Sequence, residues 1–240
     1  MTSSVSRILA GARVHLIAPK FWLAAPWLVL GASLLVSLLA AVVMDNPDLN
    51  LYGSGGLVLF YVTFCVVYAQ AMAALLPFSM GLSLTRRSFY LGTTLFAAGQ
   101  SVGYGVVFYL LLLIERGTGG WGLAQQFFAG GWYAPQYSWT VDNPAAQVAI
   151  FAVPMFVLAI FGMFVGALYR RFGPRALYAL AIGGILGVGG ALVGLILWLK
   201  DAFLGFFLDH PVVALFAGWP LILAVVFGGA GYLSIRRYVP

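Results

Sequence analysis

Six long apolar runs divide the chain, and none of them contains an Asp, Glu, Lys, Arg or His residue. An α-helix of roughly 20 apolar residues crosses the hydrocarbon core of a bilayer, and each run is long enough to do so. The pattern therefore predicts an all-α, polytopic membrane protein with six transmembrane helices. Their expected bounds are Phe21–Met44, Leu57–Phe78, Phe89–Ile114, Ala146–Tyr169, Ala176–Leu199 and Val212–Ile235.

The residues before the first run have a different pattern. Residues 4–19 place five apolar residues on one helical face with Arg7 opposite, which is typical of an amphipathic helix that lies in the membrane interface and ends near Pro19. We therefore divide the chain into an N-terminal interfacial helix, residues 1–20, and one six-helix transmembrane domain, residues 21–240. The apolar face consists of Val5, Ile8, Leu9, Ala12 and Leu16.

The composition supports the membrane assignment. Of the 240 residues, 63% are hydrophobic and 8% are charged, whereas a soluble domain carries about 25% charged residues. So few charges could not cover a water-exposed surface, which excludes a soluble enzyme, a secreted domain and a disordered chain.

The charged residues divide between the two ends of the predicted helices. Ten of the twelve cations lie before the first span, between the second and third, between the fourth and fifth, or after the sixth. All six acids lie in the other connections, of which residues 115–145 form the longest external loop. Because cytoplasmic segments carry the Lys and Arg excess, we expect both termini in the cytoplasm and the chain in a bacterial cytoplasmic (inner) membrane. The net charge of +6 then reflects topology and not nucleic-acid binding.

Few residues in the chain could catalyse a reaction or hold a metal. The single cysteine, Cys65, allows no internal disulfide, and the two histidines, His15 and His210, lie far apart in the sequence. The six runs lack the ionisable residues that ion-coupled transporters use. No G-x-x-x-x-G-K-[ST] motif is present to bind ATP phosphates. We therefore expect neither an enzyme nor a metal protein, and any ATP must be bound by another chain.

Aromatic residues recur every four positions on the second span, at Phe60, Phe64 and Tyr68, and Gln70 follows near its cytoplasmic half. The third span repeats this four-residue spacing with Gln100, Tyr104 and Phe108. Such a stripe either packs inside the bundle or lines a path, and a buried Gln usually bonds a neighbouring helix. A path of this kind would be uncharged and aromatic, which suits an apolar or amphipathic cargo.

The fifth span is rich in glycine, and glycines four residues apart allow two helix backbones to approach closely. Gly187 and Gly190 each belong to such a pair, and Gly162 and Gly166 form another on the fourth span. These glycines either pack within one bundle or bring the fifth span against a second copy of the chain.

The turn between the second and third spans carries the most specific pattern. Pro77 can end or kink the outgoing helix, and Thr85 can cap the next one. Arg86 and Arg87 follow in the first helical turn, where cations oppose the helix macrodipole. The two arginines have two possible roles. They are either a topology signal that keeps this turn in the cytoplasm, or part of a projection that binds a cytoplasmic partner through acidic residues of that partner.

The stretch from Gly81 to Gly92, G-L-S-L-T-R-R-S-F-Y-L-G, is similar to the G-x-[ST]-R-R-x-[FY]-x-x-G-like turn of type-2 permeases. These proteins are the membrane subunits of bacterial ATP-binding-cassette exporters. The resemblance extends over nearly the whole chain, because it includes the interfacial helix, the six spans and the apolar piece Ala202–Leu208 between the last two spans.

The resemblance implies partners and residue roles. Such a permease pairs with a second copy or a related permease and binds separate ATPase subunits, which hold ATP and Mg, so this chain would carry no cofactor or metal. The turn would couple to the ATPase, and the second and fifth spans would line the path at the dimer interface. The implied coupling residues are Ser83, Leu84, Thr85, Arg86 and Arg87, and the implied path residues are Phe60, Phe64, Tyr68, Gln70, Gly187 and Gly190.

Two other hypotheses stay open at this point. The chain could be a membrane sensor or immunity protein that binds a partner and transports nothing, or an intramembrane enzyme of an unfamiliar kind. Association with a Walker-motif ATPase distinguishes the exporter from the sensor, and activity of the purified chain alone would identify the enzyme.

Overall fold

A computed structural model describes residues 4–17, 19–44, 55–124, 126–129, 140–191, 193–194 and 210–236. Every regular element in these ranges is helical, as the apolar pattern predicts. The predicted apolar piece Ala202–Leu208 and most of the loop at 115–145 lie outside the described residues.

The α-helices of the described residues are α1 Ser4–Arg13, α2 Pro19–Met44, α3 Gly55–Gln70, α4 Leu76–Gly81, α5 Arg86–Gly117, α6 Pro144–Phe172, α7 Pro174–Gly183 and α8 Trp219–Arg236. A single 3-10 turn, Val14–Leu16, follows α1, and a π-helical turn, Ala71–Leu75, joins α3 to α4 without a break. Further π-helical turns continue α7 through Gly184–Gly189 and lead into α8 at Ala214–Gly218.

Five helical segments in the described part of the chain are long and apolar enough to cross a membrane. They match five of the six predicted spans to within a few residues at most ends. The predicted fifth span, Ala176–Leu199, begins in α7, but residues 192 and 195–199 lie outside the described ranges. The five segments are Leu23–Val43, Gly56–Gly81, Arg86–Gly117, Pro144–Phe172 and Ala214–Arg236.

The outer surface of these segments is apolar. Leu28 on α2, Val43 at the end of α2 and Val225 on α8 are 71%, 81% and 75% exposed. Large apolar side chains exposed along several long helices are typical of a surface that faces lipid, because a soluble protein would bury most of them. The chain is therefore consistent with a multi-pass membrane protein.

The helix α6 lies at the centre and packs against α3, α5 and α8. Its glycine pair makes the contact with α3 close: a Cβ atom at Gly162 would meet the carbonyl group of Cys65, and one at Gly166 would meet that of Ala69. Gly105 has the same role between α5 and α6, since a Cβ atom there would lie 2.9 Å from the Val148 carbonyl oxygen. The fourth-span glycines thus pack within one bundle.

The N-terminal helix packs on the start of α5 instead of lying apart from the bundle. Two glycines make this possible: a Cβ atom at Gly92 would lie 2.6 Å from the backbone of Gly11, and Gly11 itself lies against Ser88. Ile8 and Ala12, on the same face, are half-buried.

The N-terminal helical element ends close to Pro19. Its α-helix ends at Arg13 and a 3-10 turn continues it to Leu16, and Pro19 begins α2, where its missing N–H and fixed φ are tolerated. The predicted apolar face also divides in two. Val5, Leu9 and Leu16 are 62%, 42% and 55% exposed, so only part of that face packs on α5.

We expect the substitution Gly92→Leu to displace α1, because the new side chain would collide with backbone atoms that cannot move aside. Overpacking of this kind costs about 1–3 kcal/mol of unfolding free energy. The variant should have a lower melting temperature in detergent and faster tryptic cleavage at Arg7 and Arg13, which lie on the exposed side of α1.

The matched control is Gly99→Leu, two turns further along α5, where a Cβ atom would meet nothing within 4 Å. Equal melting temperatures and equal cleavage rates for the two variants would show that the glycine contact does not hold α1 in place.

Candidate functional site

The turn between α4 and α5 is compact and hydrogen-bonded. The N–H groups of Leu82, Ser83 and Leu84 donate to the carbonyl oxygens of Ser79 and Met80, each at 3.1 Å. Ser83 is exposed and has a φ of 62°, the left-handed conformation that a tight reversal requires. Leu84 instead packs against the hydrophobic core. The turn is thus a fixed projection and not a loose loop.

Thr85 caps α5, as the sequence predicts. Its side-chain oxygen accepts a hydrogen bond from the Ser88 N–H at 3.2 Å, and its hydroxyl donates to the Ser88 Oγ at 2.8 Å. A cap of this kind satisfies one of the N–H groups that a helix start leaves without a partner.

Arg86 and Arg87 point in different directions. Arg86 is half-buried, and its Nη1 donates a long hydrogen bond of 3.5 Å to the carbonyl oxygen of Ile235, in the last turn of α8. A cation at that position interacts favourably with the negative, C-terminal end of the α8 dipole. Arg87 is exposed. Of the two, Arg87 is therefore the more accessible from outside the subunit.

Three elements therefore lie together at one end of the bundle: the turn, α1 and the C-terminal end of α8. The close contact at Gly11 and Gly92 joins α1 to the first turns of α5, and Arg86 joins α5 to α8. We call this the basic end, because exposed arginines surround it in the described part of the chain: Arg7, Arg13, Arg87 and Arg236.

The predicted aromatic stripe lies in the core of the subunit. Phe60 and Phe64 are fully buried and Tyr68 is 2% exposed. The rings of Phe60 and Phe108 have centroids 4.8 Å apart at an angle of 62°, and Trp27 of α2 lies edge-on to Phe60 at 5.6 Å. Edge-to-face contacts of this kind stabilise aromatic clusters. The stripe joins α3 to α2 and α5 in this conformation, which is the packing alternative that the periodicity left open.

A chain of three polar side chains crosses this aromatic core. The Tyr68 hydroxyl donates to Gln100 Oε1 at 2.7 Å, and Gln100 Nε2 donates to the Tyr104 hydroxyl at 2.8 Å. The Tyr104 hydroxyl in turn donates to the Leu23 carbonyl oxygen at 3.3 Å. Hydrogen bonds between these buried side chains thus link α3, α5 and α2.

The other predicted path residues do not join the stripe. Gln70 is exposed, two residues beyond Tyr68 on α3. Gly187 and Gly190 are also exposed, and a Cβ atom at either would meet nothing within 4 Å. Among the described residues, Gly187 and Gly190 therefore have no close backbone neighbour of the kind that the fourth-span pair has, and the path assignment stays a prediction.

His15, which the sequence reasoning left without a role, is buried beside the basic end. It is 1% exposed, its Nε2 lies 3.0 Å from Thr93 Oγ1, and its ring stacks on Phe96 with centroids 4.9 Å apart. Burial lowers the pKa of His15 to about 4, because the charged imidazolium would lose its hydration. His15 follows Ala12 by three residues and Ile8 by seven. This helical spacing is the sequence signal that could have placed His15 on the packed face.

Glu115 is the second residue that sequence reasoning missed. The sequence predicted it as the first residue of the external loop, but it lies in the last turn of α5 and is 2% exposed. Its carboxylate accepts hydrogen bonds from the Trp121 Nε1–H at 2.8 Å and from the N–H groups of Phe127, Phe128 and Ala129 at 2.9, 2.9 and 2.7 Å. An acid here opposes the helix dipole, and this ring of donors compensates for it.

The Glu115 contacts hold the short segment of residues 126–129 over the aromatic core. Phe127 and Phe128 are 1% and 0% exposed, and the Phe128 ring lies 5.5 Å from that of Phe108. Phe127 also lies against Gly56 at the start of α3. Residues 126–129 therefore cover the end of the aromatic core that is opposite the basic end.

Among the described residues, no three His, Cys, Asp or Glu side chains come together as metal ligands. No family model, curated protein or solved structure matches the chain.

We expect the free energy of unfolding to fall as the pH drops from about 6.5 to about 4. In that range the unfolded chain protonates His15 and the folded chain does not, so stability is fully present above pH 6.5 and decreases below it. The pKa difference amounts to about 3 kcal/mol. Melting curves in detergent should show this decrease, and His15→Gln should reduce it, while His210→Gln should leave it unchanged. A decrease that persists in His15→Gln would assign it to other groups.

We expect Glu115→Gln to loosen the segment of residues 126–129, because a neutral amide has one acceptor oxygen for four donors. Loss of charged hydrogen bonds costs about 1.5–3 kcal/mol each, so the melting temperature should fall clearly. Hydrogen exchange at the amides of Phe127, Phe128 and Ala129 should accelerate. Asp142→Asn, at an exposed acid, is the control; unchanged exchange in Glu115→Gln would contradict the clamp.

Proposed function

We propose that the chain is the membrane subunit of an ATP-driven, ATP-binding-cassette exporter that moves an apolar or amphipathic cargo. In this proposal a separate ATPase subunit binds ATP and Mg, and the chain itself carries no catalytic residue. The observation that supports it best is the rigid turn at the basic end, which leads directly into the longest helix of the bundle.

The turn has the properties of a lever. α5 has 32 residues, which at 1.5 Å per residue gives about 48 Å, enough to cross the whole membrane. Its first turns are joined to α1 through Gly11 and Gly92 and to α8 through Arg86. A displacement of the turn by a cytoplasmic partner would therefore move three helices together, as coupling to ATP hydrolysis requires.

The charge of the basic end supports an acidic partner. The two carboxylates among the described residues, Glu115 and Asp142, belong to the opposite end of the bundle. A protein with acidic groups would complement the exposed arginines of the basic end. Ser83, at the exposed tip, and Thr85, which fixes the helix start, complete the proposed coupling turn.

The proposal places a second copy, or a related permease, against α7. Gly187 and Gly190 leave open space beside the backbone, which would allow another helix to approach closely. Cargo would then pass between the two subunits. Phe60, Phe64 and Tyr68 would contact it only if α3 separates from α2 and α5, whereas Gln70 is already accessible.

The alternative of a sensor or immunity protein has one observation in its favour. The described aromatic core is closed, because residues 126–129 cover the end opposite the basic end and the polar chain at Tyr68, Gln100 and Tyr104 is internally satisfied. Such a bundle could act by binding alone. The two functions differ in the partner: an exporter requires an ATPase with a P-loop, and a sensor does not.

The deciding experiment is purification of the tagged chain from its native host in mild detergent, followed by mass spectrometry. A stoichiometric partner with a P-loop, whose ATP hydrolysis changes when the chain is present, would support the exporter. A folded preparation that carries a stoichiometric partner without a P-loop would instead support the sensor and overturn the exporter.

In the reconstituted complex we expect the double substitution Arg86→Ala and Arg87→Ala to lower transport-linked ATP hydrolysis about fivefold, because it weakens the contact with the partner by roughly 1 kcal/mol. Basal hydrolysis by the ATPase alone should not change. The matched control is Arg171→Ala with Arg175→Ala, which removes two exposed arginines from the connection between α6 and α7. Equal effects of the two double substitutions would remove the case for the turn.

A further inference from the structure

A groove opens on the side of the subunit between α5, α6 and α8. Its volume is about 810 Å³, within the range of about 300–1,000 Å³ that small-molecule sites occupy. Three small residues of α8, Ala224, Gly228 and Gly229, line one wall, and the open side is apolar, with Val225 largely exposed. The groove exists because these small residues leave the space beside α8 unfilled.

Among the described residues that line the groove, Arg87 is the only charged one, and it lies at the basic end. Two of the lining hydroxyl groups are already used within the protein. The Tyr90 hydroxyl donates to the Gly228 carbonyl oxygen at 2.8 Å, and that of Thr94 donates to the Tyr90 carbonyl oxygen at 3.0 Å. As the charged group of the groove, the guanidinium of Arg87 would bind an anionic ligand.

The length of the groove matches one leaflet of a bilayer. Its wall on α8 runs from Leu221 to Tyr232, which at 1.5 Å per residue is about 16 Å. This is about half of the roughly 30 Å hydrocarbon core. The groove thus begins at an arginine at the end of the membrane-spanning segment and extends as an apolar channel to about the middle of the bilayer.

We propose that this groove binds an anionic phospholipid of the leaflet at the basic end, with its phosphate on Arg87 and an acyl chain along the small residues of α8. Arginine recognises phosphate with two parallel hydrogen bonds, and basic pockets between helices on the cytoplasmic side suit anionic headgroups. A second copy in the same orientation would instead bring another basic end towards Arg87. The lipid site does not depend on the proposed export function.

The test measures the lipid that each subunit retains. The chain is reconstituted in vesicles with equal amounts of phosphatidylglycerol and phosphatidylcholine, extracted in mild detergent and analysed by native mass spectrometry. We expect retained phosphatidylglycerol and little phosphatidylcholine. Arg87→Gln should lower the retained phosphatidylglycerol about tenfold, the loss expected for a charged hydrogen bond.

A second variant fills the groove without touching the arginine. A Cβ atom at Gly229 would meet nothing within 4 Å, so Gly229→Leu can enter the groove without a collision and should also displace the lipid. Gly103→Leu, at an equally open position on α5, and Arg175→Gln, at the α6–α7 connection, are the matched controls and should retain it. If Gly229→Leu is not recovered folded, Val225→Trp fills the same groove from its exposed rim.

Three outcomes would overturn the site. Equal retention of phosphatidylcholine would mean that headgroup charge does not matter. Unchanged retention of phosphatidylglycerol in both Arg87→Gln and the groove-filling variant would place the lipid elsewhere. Equal losses in the two control variants would indicate a general lipid annulus and no defined groove site.

Discussion

Helices inside a bilayer gain little by leaving lipid for protein, so their association depends on how closely their backbones approach one another. In this subunit that approach is made by glycine. Gly162 and Gly166 let α6 reach α3, Gly105 lets α5 reach α6, and Gly11 with Gly92 lets α1 reach α5. Because Gly162, Gly166 and Gly105 hold α3 and α5 against α6, they set the distance at which the aromatic side chains of α3 and α5 meet.

The glycine crossings divide the subunit into a closed side and an open side. Between α2, α3 and α5 the aromatic rings and the polar chain at Gln100 fill the available space. Between α5, α6 and α8, small residues such as Gly229 meet no neighbour and leave a groove. The same residue type therefore builds tight contacts where a backbone faces it and a binding space where none does.

The sequence predicted the helices well and their contacts poorly. The apolar runs located five described spans, and the position of Thr85 before Arg86 predicted the cap, because both signals are local. Local spacing could have placed His15 on a packed face, but it could not identify Thr93, 78 residues away, as its partner. Glu115 could not be placed in this way either, since Phe127 lies 12 residues further along the chain across a turn. The four-residue periodicity also placed Phe60 on one helical face with Phe64 and Tyr68, but it did not show which side chains cover that face.

The docked position of α1 has a consequence for biosynthesis. The helix is made long before Gly92 of α5 emerges, so its packing partner does not exist when it is first released. During that interval the exposed residues Val5, Leu9 and Leu16 give α1 an apolar surface with which to rest on the membrane. The apolar face of α1 is thus wider than its contact with α5 requires, and the part that stays exposed is available to the membrane before α5 is made.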